Sequence, residues 1–147
     1  MTLEQVLEEW AIDSKLPSAN LDEASRKTPS LHSKYLALLS QTKLRLKKAE
    51  MNQKKLLKLK WLWYNGKMSE DQIKELGWNY DPLEGLKIMK GEMDYYYDSD
   101  TEIQESELKI QYLKTLIDTL NEIVTNLNWR HQTISNMIKW KVFEAGG

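Results

Sequence analysis

Between Ile103 and Ile138 the apolar residues fall into two interleaved registers. Ile103, Ile110, Ile117, Val124 and Ile138 sit at steps of seven, and Leu113, Leu120, Leu127 and Ile134 come three places after members of that series. His131 fills the one missing step of the first register. β-Branched residues in one register and leucine in the other mark a coiled-coil seam, and the pattern predicts a helix from Thr101 to about Phe143. Leu116, Ile123 and Met137 add a second apolar flank, wider than a two-stranded seam needs. A helix of roughly 40 residues spans about 60 Å, so the stripe predicts self-association, with Ile110, Leu113, Ile117, Leu120, Val124, Leu127, Ile134 and Ile138 as the oligomerisation residues. An intramolecular hairpin against another helix is the alternative cover. His131 reads as a polar register residue rather than a metal ligand.

The other elements follow from punctuation and spacing. Thr2 and Gln5 form a capping box ahead of Leu3, Val6, Leu7 and Trp10, which predicts a short acidic helix over residues 2–13. Pro17 marks a linker, and Thr28-Pro29 reads as a cap followed by proline at the first helical position. A long helix is predicted from there to Asn65-Gly66, where glycine supplies the left-handed stop. Its apolar face gathers Leu31, Tyr35, Leu38, Leu39, Leu46, Ala49, Leu56, Leu57, Trp63 and Tyr64. Ser69 with Gln72, and then Gly77, bracket a two-turn helix. From Trp78 to Asp100, Asp81-Pro82, Gly85 and Gly91 predict loop, and the run Met93 to Tyr97 predicts one short strand. The expected fold is mainly α: long helices, a C-terminal heptad helix assembling into a homo-oligomeric ring, and an irregular or short-strand segment around residues 78–100. It is expected as one domain over 1–147, with parts at 1–13, 28–65, 69–100 and 101–144.

Charge changes this picture most at Lys43 to Tyr64. Lys43, Arg45, Lys47, Lys48, Lys54, Lys55, Lys58 and Lys60 surround a single carboxylate, Glu50, and the stretch ends in Trp61, Trp63 and Tyr64. Cations beside aromatic rings suit single-stranded nucleic acid, with phosphates on the former and bases on the latter. Lys43, Lys47, Lys54, Lys55 and Lys58 share the polar side of the helix with Trp61. Lys60 falls near the centre of the apolar face, where its ammonium must reach a carboxylate, a phosphate or water. The nucleic-acid-binding candidates are therefore Lys43, Lys47, Lys54, Lys55, Lys58, Lys60 and Trp61. A solvated helix face is the plainer alternative.

The whole chain of 147 residues carries a net charge of −1, which averages that basic run against Glu70 to Glu107, where a dozen carboxylates meet only Lys74, Lys87 and Lys90. Cysteine is absent, so there is no disulfide or thiolate metal site. The chain has no glycine-rich phosphate loop, no nucleophile set with a base, and no metal-ligand spacing; Asp98, Asp100 and Glu102 fail as a calcium loop because Ile103 and Lys109 stand where glycine and glutamate are required. The expectation is a non-enzyme without cofactor or metal. With no signal peptide and no apolar run of membrane length, it is expected to be cytoplasmic.

Several stretches resemble the phage recombination mediator family UvsY. Leu57-Lys58-Leu59-Lys60 is similar to that family's leucine, lysine, alanine, arginine box, and Phe143-Glu144-Ala145-Gly146 to its C-terminal tail. Ile12-Asp13-Ser14, Ser33-Lys34-Tyr35-Leu36 and Glu92-Met93 match further positions in the same order. The resemblance implies a ring of six or seven subunits that binds single-stranded DNA and contacts the phage single-strand binding protein and a UvsX-like recombinase, helping to load the recombinase. It carries the box's two basic positions to Lys58 and Lys60. Leu59 departs from alanine and Lys60 from arginine, which loses a planar fork for phosphate. The other readings are a structural coiled-coil adaptor without nucleic-acid binding, and a monomeric inhibitor whose carboxylates mimic DNA.

Overall fold

The computed structural model describes residues 1–146 and contains, among these, six helices and no strand. They are α1 (Leu3–Asp13), α2 (Leu21–Tyr64), α3 (Glu70–Leu76), α4 (Met93–Ser99), α5 (Thr101–Asn128) and α6 (Arg130–Glu144). The chain divides into two compact units, one formed by Met1–Leu44 with the residues from Leu113 onward, the other by Arg45–Tyr112. Helices α2 and α5 contribute to both.

The first unit buries the heptad stripe within a single chain. Leu116, Leu120, Ile123 and Leu127 from α5 meet Val6 of α1 and Tyr35 and Leu39 of α2, with Leu3, Trp10, Leu31, Leu38, Ile117 and Val124 packed around them. Leu120 is 0% exposed. The Trp10 and Tyr35 rings meet edge to face at 5.5 Å. Of the expected oligomerisation set, Leu113, Leu120, Leu127 and Ile134 of this unit and Ile110 of the second are buried within the single chain, Ile117 and Val124 are half-buried, and Ile138 is exposed. The stripe is as wide as the sequence indicates because α1 and α2 both lie on it.

Polar contacts tie the end of α1 to its surroundings. The Asp13 carboxylate accepts from Tyr35 Oη at 2.7 Å and Lys34 Nζ at 2.8 Å, while Arg130 donates to the Asp13 carbonyl at 2.9 Å and the Lys15 carbonyl at 3.4 Å. Burial pushes the Asp13 carboxyl up, but these hydrogen bonds and the nearby cations outweigh it and hold the group below the ordinary carboxylate range.

Three boundaries differ from expectation. α2 begins at Leu21, so Pro29 lies inside the helix. The turns ahead of it are held by Leu21 and Ala24, buried with Ile134 of α6, and by ion pairs of Asp22 with Arg26 and Glu23 with Lys27. The C-terminal helical pattern is interrupted at Trp129, between α5 and α6. Residues Met93 to Tyr97 are helical, because Tyr97 donates to the Leu57 carbonyl at 3.2 Å and Tyr96 packs on Tyr64 at 5.7 Å. By contrast α3 starts at the Ser69 cap and stops at Gly77, φ 71°, as its sequence indicates.

Candidate nucleic-acid interface

The second unit presents the basic part of α2. At about 100° per residue, Lys47, Lys54, Lys58 and Trp61 form one line along the helix, with Lys48, Met51 and Lys55 beside it. All are exposed. Arg45 and, in the first unit's share of the helix, Lys43 are exposed as well. Among the described residues none of these cations is held in an ion pair, so their charge is unspent.

Trp61 is 40% exposed, and Lys67 Nζ stands 4.7 Å from its ring centroid. Lys67 lies beyond the helix and is absent from the sequence-derived candidates. The helix end explains its position: Gly66, φ 68°, allows the Lys67 N–H to reach the Leu62 carbonyl at 2.8 Å and the Gly66 N–H the Trp63 carbonyl at 3.2 Å. That pair of bonds is a Schellman stop, which returns the residue after the glycine over the last turns of the helix. Asn65-Gly66 was therefore the signal for Lys67.

Lys60 is the correction among the binding candidates. It is 3% exposed, with Nζ 4.5 Å from the Trp63 ring and 4.0 Å from the Trp78 ring. Asp100 lies at 3.1 Å and Glu102 at 3.2 Å. The ammonium thus has two carboxylates and two aromatic faces, and no access to a DNA phosphate. Asp100 also accepts from Tyr64 Oη at 2.6 Å and from the Ile103 N–H at 3.0 Å, capping α5. Burial raises the Asp100 carboxyl, yet the bonds from Tyr64, Ile103 and Lys60 prevail and lower it. The Tyr64 phenol is pushed up by burial and by that carboxylate. Two basic positions of one short box therefore face opposite ways: Lys58 outward, Lys60 into the unit's polar core.

The arrangement suits sequence-blind binding of a strand, with phosphates along the lysine line and a base against Trp61. Among the described residues no group of three His, Asp or Glu side chains could hold a metal ion, and no helix is long and apolar enough to cross a membrane.

A family model described as "Recombination, repair and ssDNA binding protein UvsY" matches residues 9–147. No curated protein matches the sequence. A crystal structure of the bacteriophage T4 recombination mediator protein UvsY has a TM-score of 0.81 at 23% identity, covering 99% of this chain and 98% of that one. A second lattice form of the same T4 protein gives 0.79 at 22% identity, covering 98% and 99%. At such identity the likeness shows the fold.

Proposed function

The chain belongs to the UvsY family of recombination, repair and ssDNA-binding proteins, and from this membership and the surface of α2 we propose a phage recombination mediator that binds single-stranded DNA through Lys43, Lys47, Lys54, Lys55, Lys58, Lys67 and Trp61. The observation that carries the reading is the line of exposed, unpaired lysines ending at a half-exposed tryptophan. The partners proposed with it are a UvsX-like recombinase and the phage single-strand binding protein. The chain assembles into a homo-oligomeric ring of six or seven subunits, and the surface offered for assembly is α6, where Ile138, Trp140, Val142 and Phe143 are exposed. One copy offers a few phosphate contacts. Repetition around a ring makes each further contact intramolecular and raises avidity by about 10²- to 10⁴-fold. A strand held on such an array leaves the path it follows on its protective protein and becomes available for recombinase loading.

Titration of labelled oligo-dT at several salt concentrations tests the DNA step. Each phosphate contact contributes about −0.7 to the logarithmic salt slope on a single strand, so Lys54→Ala with Lys58→Ala flattens it by about 1.4 per chain. Trp61→Ala weakens binding by about 1–3 kcal/mol through lost stacking. Binding that ignores salt, or that survives all three substitutions unchanged, overturns the reading.

A further inference from the structure

The turn that follows α2 is tied down at every step from Asn65 to Met68. Asn65 Nδ2 donates to the Trp61 carbonyl at 2.8 Å and approaches Met93 Sδ at 3.8 Å. The N–H groups of Gly66 and Lys67 close the helix end, and Met68 is buried. Lys67 between them is exposed, and among the described residues it has no carboxylate partner. Its backbone is therefore fixed on both sides. Its ammonium lies over the Trp61 ring and stays open to a further anion.

Lys58 precedes Trp61 by three residues on the same exposed line, about 4.5 Å along the helix axis. One exposed cation thus comes before the indole on the helix and another follows it on the turn. A base in a single strand has a phosphate on each flank, and the order cation, ring, cation matches that pattern. We propose that Lys58, Trp61 and Lys67 grip one nucleotide as a unit, the base on the indole and the flanking phosphates on the two lysines, with Gly66 as the residue that positions Lys67. This deepens the DNA-binding reading of α2 and rests on it. Backbone conformation alone sets the role of Gly66: at φ 68° it is left-handed, and a Cβ there would meet nothing within 4 Å. A β-branched residue strains the turn and displaces Lys67 without any clash, whereas asparagine tolerates the left-handed conformation.

Oligo-dT titration of full-chain variants at several salt concentrations tests this. Lys67→Ala and Gly66→Val are each expected to lower affinity about two- to fivefold, the range of an exposed cation–π contact, and to flatten the logarithmic salt slope by about 0.7 per chain. Gly66→Asn is expected to restore most of what Gly66→Val loses. Gly66→Val added to Lys67→Ala is expected to cost nothing further, because both remove one contact, and Trp61→Ala with Lys67→Ala to cost less than the product of the separate fold-changes. Circular dichroism checks that α2 is retained in the Gly66 variants; Lys67→Ala leaves the backbone untouched. Three outcomes overturn the proposal: Lys67→Ala binding as tightly as the parent, or more tightly, which makes the ammonium a cover competing with the base; Gly66→Asn as weak as Gly66→Val; or Gly66→Val weakening the Lys67→Ala chain as much as it weakens the parent. If Lys54→Ala with Lys58→Ala flattens the salt slope while changes at Lys67 and Gly66 do nothing, only the unit around Trp61 falls; if none of these changes matters, the DNA-binding reading falls with it.

Discussion

At the scale of single residues, Lys60 and Trp61 are neighbours with opposite work. Removing the Lys60 charge while keeping its stem, Lys60→Met, leaves Asp100 buried without its cation and takes a charge from between Trp63 and Trp78. Breaking a buried pair from one side costs about 3–5 kcal/mol, and urea denaturation is expected to record a loss of that order. Asp100→Asn in the same chain recovers part of it, since the two act on one interaction. The Lys60→Met protein, where folded, keeps the parent's oligo-dT salt slope; a slope flattened by one contact returns Lys60 to the DNA surface. The same pair sets an acid limit. Because the folded Asp100 carboxyl titrates below its unfolded value of about 3.8, its stabilisation is fully present above that pH and is lost as pH falls through the lower folded value. Asp100→Asn therefore loses more stability at neutral pH than in acid, and a difference that grows as pH falls from 5 to 3 contradicts this assignment.

At the scale of elements, what the sequence showed depended on whether the signal was local. The stops at Gly66 and Gly77 and the Ser69 cap were legible because backbone conformation at a helix end depends on the residues there. The start of α2 was not, since Thr28-Pro29 has the composition of a helix beginning, and what extends the helix back to Leu21 is burial against α6, far away in sequence. Thr28 Oγ1 bonds back to the Ala24 carbonyl at 2.9 Å instead of capping forward. The tyrosines of α4 obey the same rule: their β-propensity is local, and the anchors on Leu57 and Tyr64 that make the segment helical are tertiary. Periodicity shows that Lys60 needs a partner but not that Asp100 and Glu102 supply it. The Pro29 boundary is testable. Proline inside a helix lacks the N–H that would bond the Ser25 carbonyl and costs up to about 3 kcal/mol, so Pro29→Ala is expected to raise the urea midpoint at unchanged m-value. At a true first helical position the same change leaves the midpoint where it was or lowers it.

At the scale of the whole molecule, the question is which apolar surface is left for assembly once the chain has folded. A heptad seam states that a helix needs a partner, and α5 has found its partners in α1 and α2, with Leu113, Leu116 and Leu120 almost wholly excluded from water. α6 is covered only in part: Ile134 packs with Leu21 and Ala24 of α2, whereas Trp140 and Phe143 form an edge-to-face pair at 5.7 Å and Phe143 is 71% exposed. Carboxylates on the two helices should therefore have different consequences. Leu120→Asp places a charge in the first unit's core and is expected to unfold the chain, as seen by loss of cooperative melting. Trp140→Asp with Phe143→Asp changes surface positions and is expected to leave the melt of each chain nearly unaltered while sedimentation velocity falls to the single-chain value. The proposed ring draws its DNA affinity from repetition, so under that proposal oligo-dT binding by the dissociated chain is expected to weaken by about 10²- to 10⁴-fold, although every lysine of α2 is still present. If the α6 variant keeps the parent's mass while Leu120→Asp yields a folded, smaller particle, assembly runs along the heptad seam. The intrachain packing of α5 then has to open before copies can join.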